Sequence, residues 1–449
     1  MLLHRSTAIV QHVVWQSLSN LFVHAMRANA LPLALAGLVL LLLSGCTMLD
    51  DPSATGLRNE DDAGRKPFTR STLRNQTIPP AVSFQNRLLI VGTDGNLYTS
   101  DPDGGNRVAV TTDASSTRSY LQPTWSPTGE KIAWSRVDAE EGATLTIGQF
   151  DGTIESEIDV PFPPFYIFWS PQGERLAYLS NWRANSMALR MVELDGNQAQ
   201  AETLAQGQPF YFSWAPDGEQ LLTHVGNQRT AIRQLDGAER PLSAASIGFP
   251  APQWTPDGEK LIFATGDNEL QTLVLTDVEG EPIREITLYD GSITFTQSPS
   301  MDEIAYVVTE SDSGFPTFGP LYLVETETGR TQEISGGPVI AFFWSPDGTK
   351  LAFIRVEPVG DSFWLRWSVW NGKQVTEYAR FLPSRTFLQS YLTFFDQYAQ
   401  STSLWAPDSS AFAYAGVSPS RRNGIWVQDL AQERPDRVGS GVFVVWSPQ

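Results

Sequence analysis

Trp344-Ser345-Pro346-Asp347-Gly348-Thr349-Lys350-Leu351-Ala352-Phe353 is the stretch whose reading decides the fold. An aromatic residue closes one apolar run. Pro346 then pre-sets φ, Gly348 supplies a positive φ, and Leu351 to Phe353 open the next apolar run. The phrase recurs at Trp125 (WSPTGEKIAW), Trp169 (WSPQGERLAY), Trp214 (WAPDGEQLL), Trp254 (WTPDGEKLIF), Gln297 (QSPSMDEIAY), Trp405 (WAPDSSAFAY) and Trp446 (WSPQ). Successive anchors are 44, 45, 40, 43, 47, 61 and 41 residues apart. A period of about 40–50 residues signals stacked supersecondary units, and about 40–45 suits a four-stranded propeller blade.

Outward from Trp344, one whole unit can be read. Ile340 to Trp344 is a first strand and Lys350 to Ile354 a second. Trp364 to Trp370 alternates as a third, and Asn371-Gly372 is a hairpin turn into a fourth strand at Val375–Tyr378. The seven anchor tryptophans, Trp125, Trp169, Trp214, Trp254, Trp344, Trp405 and Trp446, are expected to be core packed between neighbouring blades rather than ligand platforms. The two ends of the repeat region complement each other. Leu88–Val91, Leu97-Tyr98 and Val108–Val110 are three strands with no Trp-Ser-Pro strand before them, and Gly441–Trp446 is one strand with nothing after it. Together they predict a composite blade that closes the ring and removes open sheet edges. The fold class is therefore all-β, a β-propeller of eight four-stranded blades, or seven if the degenerate Gln297 unit is not a blade.

The pattern resembles the WD40-like repeats of the TolB-like β-propeller family over residues 84–449. Three departures stand out. Gln297 replaces the aromatic anchor, and Ser300-Met301-Asp302 and Asp408-Ser409-Ser410 lack the turn glycine. TolB itself carries an α/β domain before its propeller, and residues 47–83 are too short for one, so its partners are not implied here.

The 449-residue chain carries 31 basic and 50 acidic residues, a formal net charge of -19. Such a surface repels nucleic acid phosphates, and no basic run offsets it. The single cysteine, Cys46, excludes an intrachain disulfide. It follows an uncharged apolar run from Ala28 to Gly45 with Arg27 in front, the layout of a secretory signal with small residues at its end. A membrane-spanning helix is the competing reading and needs about 20 apolar residues.

Leu43-Ser44-Gly45-Cys46 resembles the lipobox of bacterial lipoproteins. That resemblance implies cleavage before Cys46, thioether lipidation of its sulfur and acylation of the new N-terminus. Several acyl chains anchor stably where one is marginal. Thr47 at the next position gives no inner-membrane retention signal by the same resemblance. The expected organisation is a signal peptide over 1–45, with translation starting at Met26 as one possibility, a disordered tether over 46–80 and the propeller over 81–449. Low hydrophobicity and mixed charge in the tether cannot offset ordering entropy. The expected location is extracytoplasmic, on a bacterial membrane at the periplasm or cell surface.

Catalytic signals are sparse. His224 is the one histidine after Cys46, and without a cysteine partner it argues for a packed side chain and against zinc. There is no G-x-S-x-G elbow. Asp101-Pro-Asp103-Gly-Gly-Asn106 reads as a hairpin turn rather than a calcium loop, since it lacks the later bidentate glutamate. Paired carboxylates for glycan or peptide hydrolysis are the alternative reading. The favoured one is a noncatalytic, monomeric binding or scaffold module, with no cofactor and no metal, taking a protein or glycan on the face that carries the loops between second and third strands. Trp182, Arg183, Phe315, Phe318, Arg421 and Arg422 lie in those loops, and exposed Trp, Phe and Arg are common binding anchors. The loop Ser135–Ala143 adds Asp138, Glu140 and Glu141. An aromatic insertion with Phe387, Tyr391, Phe394 and Tyr398 at helical spacing fills the 61-residue step and is expected to cover the channel as a lid or to form a docking patch.

Overall fold

The computed structural model describes residues 84–449 apart from 184–185, 195–199, 227–228, 244–245, 267–270, 301, 310–317 and 361. The signal-like segment with Met26, Cys46, the tether and Phe315 lie outside the described residues.

Five separate four-stranded antiparallel sheets and one ten-stranded sheet make up the described chain. β1 (Leu88–Val91), β2 (Leu97–Ser100) and β3 (Val108–Ala109) belong to the first sheet. The second holds β4 (Arg118–Trp125), β5 (Lys131–Asp138), β6 (Gly142–Gln149) and β7 (Ile154–Val160). β8 (Pro164–Trp169), β9 (Arg175–Asn181), β10 (Met187–Glu193) and β11 (Glu202–Gly207) form the third. The fourth is β12 (Phe210–Trp214), β13 (Gln220–Val225), β14 (Arg229–Gln234) and β15 (Glu239–Pro241), and the fifth is β16 (Gln253–Trp254), β17 (Lys260–Gly266), β18 (Gln271–Asp277) and β19 (Pro282–Tyr289).

The ten-stranded sheet carries three copies of the repeat. It runs through β20 (Ser292–Gln297), β21 (Glu303–Thr309), β22 (Gly319–Glu325), β23 (Thr331–Trp344), β24 (Leu351–Val359), β25 (Ser362–Trp370), β26 (Val375–Pro383), β27 (Ala411–Val417), β28 (Asn423–Asp429) and β29 (Asp436–Gly439). Pairing changes hands within two long strands. Thr331 to Ser335 of β23 pair with β22, while Ala341 to Trp344 pair with β24. Leu382 and Pro383 at the end of β26 pair with β27. The Gln297 unit is thus a full participant, with β20 to β23 pairing in sequence.

The last strand, β30 (Phe443–Trp446), pairs with β1 in the register Leu88↔Trp446 to Val91↔Phe443. The expected composite sheet is present, in the order β3-β2-β1-β30. The closing bonds copy the turn of an intact repeat. In the Trp344 copy, Ser345 N–H donates to the Lys350 carbonyl at 2.9 Å, and Lys350 N–H donates back to Ser345 Oγ at 3.0 Å. At the closure, Ser447 N–H donates to the Arg87 carbonyl at 2.8 Å, and Arg87 N–H donates to Ser447 Oγ at 2.9 Å. Two ends of the chain rebuild without a covalent link the turn that is elsewhere continuous.

The turn explains its own residue types. The Ser or Thr hydroxyl receives the N–H five residues on at Ser126, Ser170, Thr255 and Ser345. Asp217, Asp257, Asp347 and Asp408 each accept an N–H two residues on. Glycine occupies the left-handed position at φ values from 68° to 75° in five copies. Where glycine is missing, Ser409 adopts φ 60° and still donates its N–H to the Ala406 carbonyl. A non-glycine residue is costly there but allowed.

The seven anchor tryptophans differ in depth. Trp125, Trp169, Trp214, Trp405 and Trp446 are buried, whereas Trp254 and Trp344 are half-buried. The Nε1–H of Trp214, Trp344 and Trp405 each donates, at 3.1 Å, to the carbonyl of the residue just before the preceding anchor: Phe168, Thr296 and Phe343. The Gln297 unit has no indole to offer. Its link is made by Gln253, whose Nε2 donates to the Phe295 carbonyl and whose Oε1 accepts the Gln297 N–H, both at 2.9 Å.

Trp405 is 1% exposed and carries one of these bonds. Trp405→Ala is expected to cost about 3–5 kcal/mol, because a cavity and an unpaired carbonyl remain. Denaturant unfolding measures this, and an unchanged midpoint would remove the anchor from the stabilising core.

Candidate functional site

The aromatic insertion is an internal plug. Ser384 caps a short helix, α1 (Arg385–Ser390), by accepting the Phe387 N–H at 3.0 Å, and its hydroxyl donates to the Val442 carbonyl beside β30. A single 3₁₀ turn (Leu392–Phe394) and a second short helix, α2 (Phe395–Tyr398), follow. The helical spacing of the aromatic residues is not carried by one helix, because the backbone breaks at Tyr391, which sits at φ -129° and ψ -63°. The break aims successive rings at different sheets. Phe387 and Tyr391 are buried, and Phe394 is exposed.

The first strands of the ring converge on this plug. Tyr391 stacks on Phe343 of β23 with centroids 5.8 Å apart and meets Phe443 of β30 at 5.7 Å. Phe395 meets Phe342 edge-on at 4.8 Å, and α2 also packs on β20. Tyr398 meets Tyr166 of β8 edge-on at 5.2 Å, and the Tyr166 hydroxyl lies 3.1 Å from the Gln397 carbonyl. Gln400 Nε2 donates to the Tyr211 hydroxyl of β12 at 2.7 Å, and Thr124 Oγ1 of β4 donates to the Ser401 carbonyl at 3.3 Å. Strands from opposite parts of the chain are thus tied through one segment. Of the two roles the sequence left open, covering the channel matches this packing better than an exposed docking patch.

Asp396 is the chemically distinctive residue of the plug. Its carboxyl is 92% buried by residue area, at 8% exposure, and accepts N–H groups from Asp396 itself, Gln397 and Ala251. No lysine or arginine pairs with it among the described residues. Burial pushes its pKa up to about 6, against the bonds that favour the anion. Tyr166 and Tyr211 beside it are held well above the usual tyrosine range, chiefly by burial, with the Asp396 charge adding to it. His224 lies one strand outward, paired in register with Tyr211. It is fully buried, 3.2 Å from the Pro250 carbonyl through Nδ1, and its ring lies tilted against Phe249 with centroids 4.7 Å apart. Burial lowers its pKa to about 4, so it is a neutral packed side chain.

The loop residues fall in three different repeat units of two sheets. Trp182 and Arg183 join β9 to β10, Phe318 lies between β21 and β22, and Arg421 and Arg422 join β27 to β28. Each loop links a second strand to a third. Trp182 and Arg183 are brought together, with the guanidinium carbon 5.5 Å from the ring centroid. Phe318 is clamped by Thr309, whose Oγ1 accepts its N–H at 2.7 Å and donates to its carbonyl at 2.8 Å. Arg421 and Arg422 are exposed, Arg421 at φ 60°. Arg190, on β10, was missed by sequence reading because it sits inside a strand; its guanidinium carbon lies 5.2 Å from the Trp182 centroid.

The acids of the Ser135–Ala143 loop are structural. Asp138 accepts the N–H groups of Glu141 and Glu140 and pairs with Arg118 at 2.7 Å, which together hold its pKa down to about 2. Glu141 pairs with Arg118 at 3.0 Å and Arg136 at 3.1 Å. The Asp101–Asn106 segment is a hairpin turn, with Gly104 N–H donating to the Asp101 carbonyl at 2.9 Å, while the Asp101 carboxylate binds buried Arg87 at 2.7 Å.

No protein-family model and no curated protein matches the chain. Among solved structures it is similar to a eukaryotic initiation factor, at 12% identity and TM-score 0.51, over 82% of this chain and 99% of that one. TolB from Acinetobacter baumannii aligns at 15% identity and TM-score 0.39, over 74% and 82% of the two chains. The β-propeller domain of the Trilobed protease from Pyrococcus furiosus aligns at 12% identity and TM-score 0.43, over 72% and 98%.

Asp396 gives a signed pH prediction. Its folded pKa lies above the unfolded carboxylate value, so its contribution is complete below about pH 4 and is lost as pH rises through 6. Relative to Asp396→Asn, the native protein should gain about 2–3 kcal/mol between pH 7.5 and pH 4. Paired denaturation curves measure the difference, and a flat difference would show the carboxyl to be ordinary. The sheet order, the closed ring and the filled axis together make this chain a β-propeller.

Proposed function

We propose that this protein is a lipid-anchored, extracytoplasmic β-propeller that binds a protein or glycan on the face carrying the loops between second and third strands, without catalysing a reaction. The reading takes the ten-stranded sheet as three blades, divided at β23 and β26, and so counts eight in all. The observation that carries it is the plug. Phe387, Tyr391 and Phe395 are buried and Tyr398 packs on Tyr391, so the plug sets aromatic side chains where the first strands meet, which favours recognition on the rim. The exposed Arg183, Arg421 and Arg422 stand there on a molecule whose overall charge is strongly negative.

The hydrolase alternative needs two carboxylates flanking one bond. Asp396 has a raised pKa, but its neighbours are tyrosines and backbone N–H groups. Glu303 is also raised, by burial and by Glu325 across the strand pair, which is a cost of local packing at the start of β21. Neither arrangement supplies an acid and a nucleophile to a common point.

Crosslinking in intact cells tests the binding reading. The native chain should capture a defined species that Phe318→Ala/Arg421→Ala/Arg422→Ala loses, while both chains melt alike. Capture of the same species by both would overturn the loop-face assignment. Anchoring is tested separately: Cys46→Ser should move the protein from the membrane fraction to the soluble one, and unchanged fractionation would exclude lipidation at that sulfur.

A further inference from the structure

Trp182 gathers two arginines that form no ion pair among the described residues. Arg183 and Arg190 both place their guanidinium groups over its ring, at 5.5 Å and 5.2 Å, and Phe162 meets the ring edge-on at 6.2 Å. Arg183 is exposed. Arg190 is 6% exposed, and its Nε has no protein hydrogen-bond partner. Among the described residues neither arginine forms an ion pair. Tyr178 lies opposite Arg190 in the β9–β10 register, near enough to feel its charge, and its buried hydroxyl is also without a protein acceptor.

Buried charges are ordinarily paired, because an unpaired one loses hydration without compensation. Cation–π contact compensates in part, and most when the site is desolvated. It does not use the guanidinium N–H groups, which lie in the plane and match a carboxylate bidentately. Arg183 and Arg190 thus share the Trp182 ring without an ion-pair partner among the described residues, and Tyr178, whose hydroxyl has no protein acceptor, lies opposite Arg190 in the same sheet.

We propose that Arg190 and Arg183, gathered on Trp182, form a carboxylate-binding subsite for an acidic polypeptide segment. The inference rests on the loop-face reading and narrows it. A sugar ring would need a bare aromatic face, and the two guanidiniums already occupy this indole. What the cluster presents is N–H. The chain's net charge of -19 disfavours loose attraction of acidic peptides, so saturable binding of one requires a local cationic site.

The test uses the full chain in detergent and a fluorescein-labelled hexaglutamate peptide, read by anisotropy at physiological salt. Saturable binding is expected, weakened at least about tenfold by Arg183→Ala and by Arg190→Met, and by added salt. Arg183 is exposed, so its variant keeps the test valid if Arg190→Met fails to fold. No saturable binding, or equal binding by Arg183→Ala, overturns the subsite. Displacement by inorganic phosphate or polygalacturonate at lower carboxylate-equivalent concentration than unlabelled hexaglutamate overturns the assignment to a polypeptide. A crosslinked partner that still depends on Phe318, Arg421 and Arg422 while hexaglutamate fails to bind rejects this subsite and leaves the loop-face reading standing.

Discussion

Pairing between Leu88–Val91 and Phe443–Trp446 is the constraint on which the rest of the molecule depends. Each sheet twists, and a series of twisted sheets packed face to face has no reason to stop without closure. The closing strand gives the ring a fixed circumference. It also completes the interrupted turn, with Arg87 standing to Ser447 as Lys350 stands to Ser345. Arg87 is itself fully buried and held by Asp101, Thr99 and the Asn106 carbonyl, so the closure is tied to the hairpin of the first sheet.

A ring of fixed size leaves an axis that must be filled with water, ligand or side chains. Here side chains fill it. The plug touches β30 through Tyr391 and Ser384, so the same segment that fills the axis braces the closure. The cost is Asp396, a carboxyl placed where no cation reaches it among the described residues. Backbone N–H groups satisfy its hydrogen bonds without supplying a full counter-charge, which is why burial prevails over them. On the reading proposed above, recognition lies in the loops around the axis rather than on it.

Much of this was legible residue by residue. The proline and glycine of each turn, the Ser or Thr before the proline and the Asp after it are local devices whose hydrogen bonds stay within six residues, so sequence spacing reveals them. Ser409 shows the limit of that rule: the glycine is absent, yet the turn survives because packing on either side imposes the left-handed backbone. Gln297 shows another. The missing indole is replaced by Gln253, a residue 44 positions earlier, and no local pattern announces such an exchange. The helical spacing of Phe387, Tyr391, Phe394 and Tyr398 was real but not decisive. The segment contacts strands on several sides, and a broken helix serves that better than a straight one. Asp138 and Glu141, counted with the binding-face loops from sequence, are held by Arg118 and Arg136 of neighbouring strands, a pairing that the loop itself does not announce.

By itself, the sequence determined the repeating unit, the strand order within it and the pairing of the two chain ends, because these follow from local turn chemistry and from a period that any observer of the chain can count. Only the tertiary structure decided what fills the axis, which anchors are fully buried and which charges lack partners. Those outcomes depend on side chains brought together from positions up to 360 residues apart, as at Trp446 and Asn86. Arg190 is the clearest case. In sequence it is one polar residue inside an apolar strand, and only the fold places it beside Trp182 with no carboxylate to meet it among the described residues.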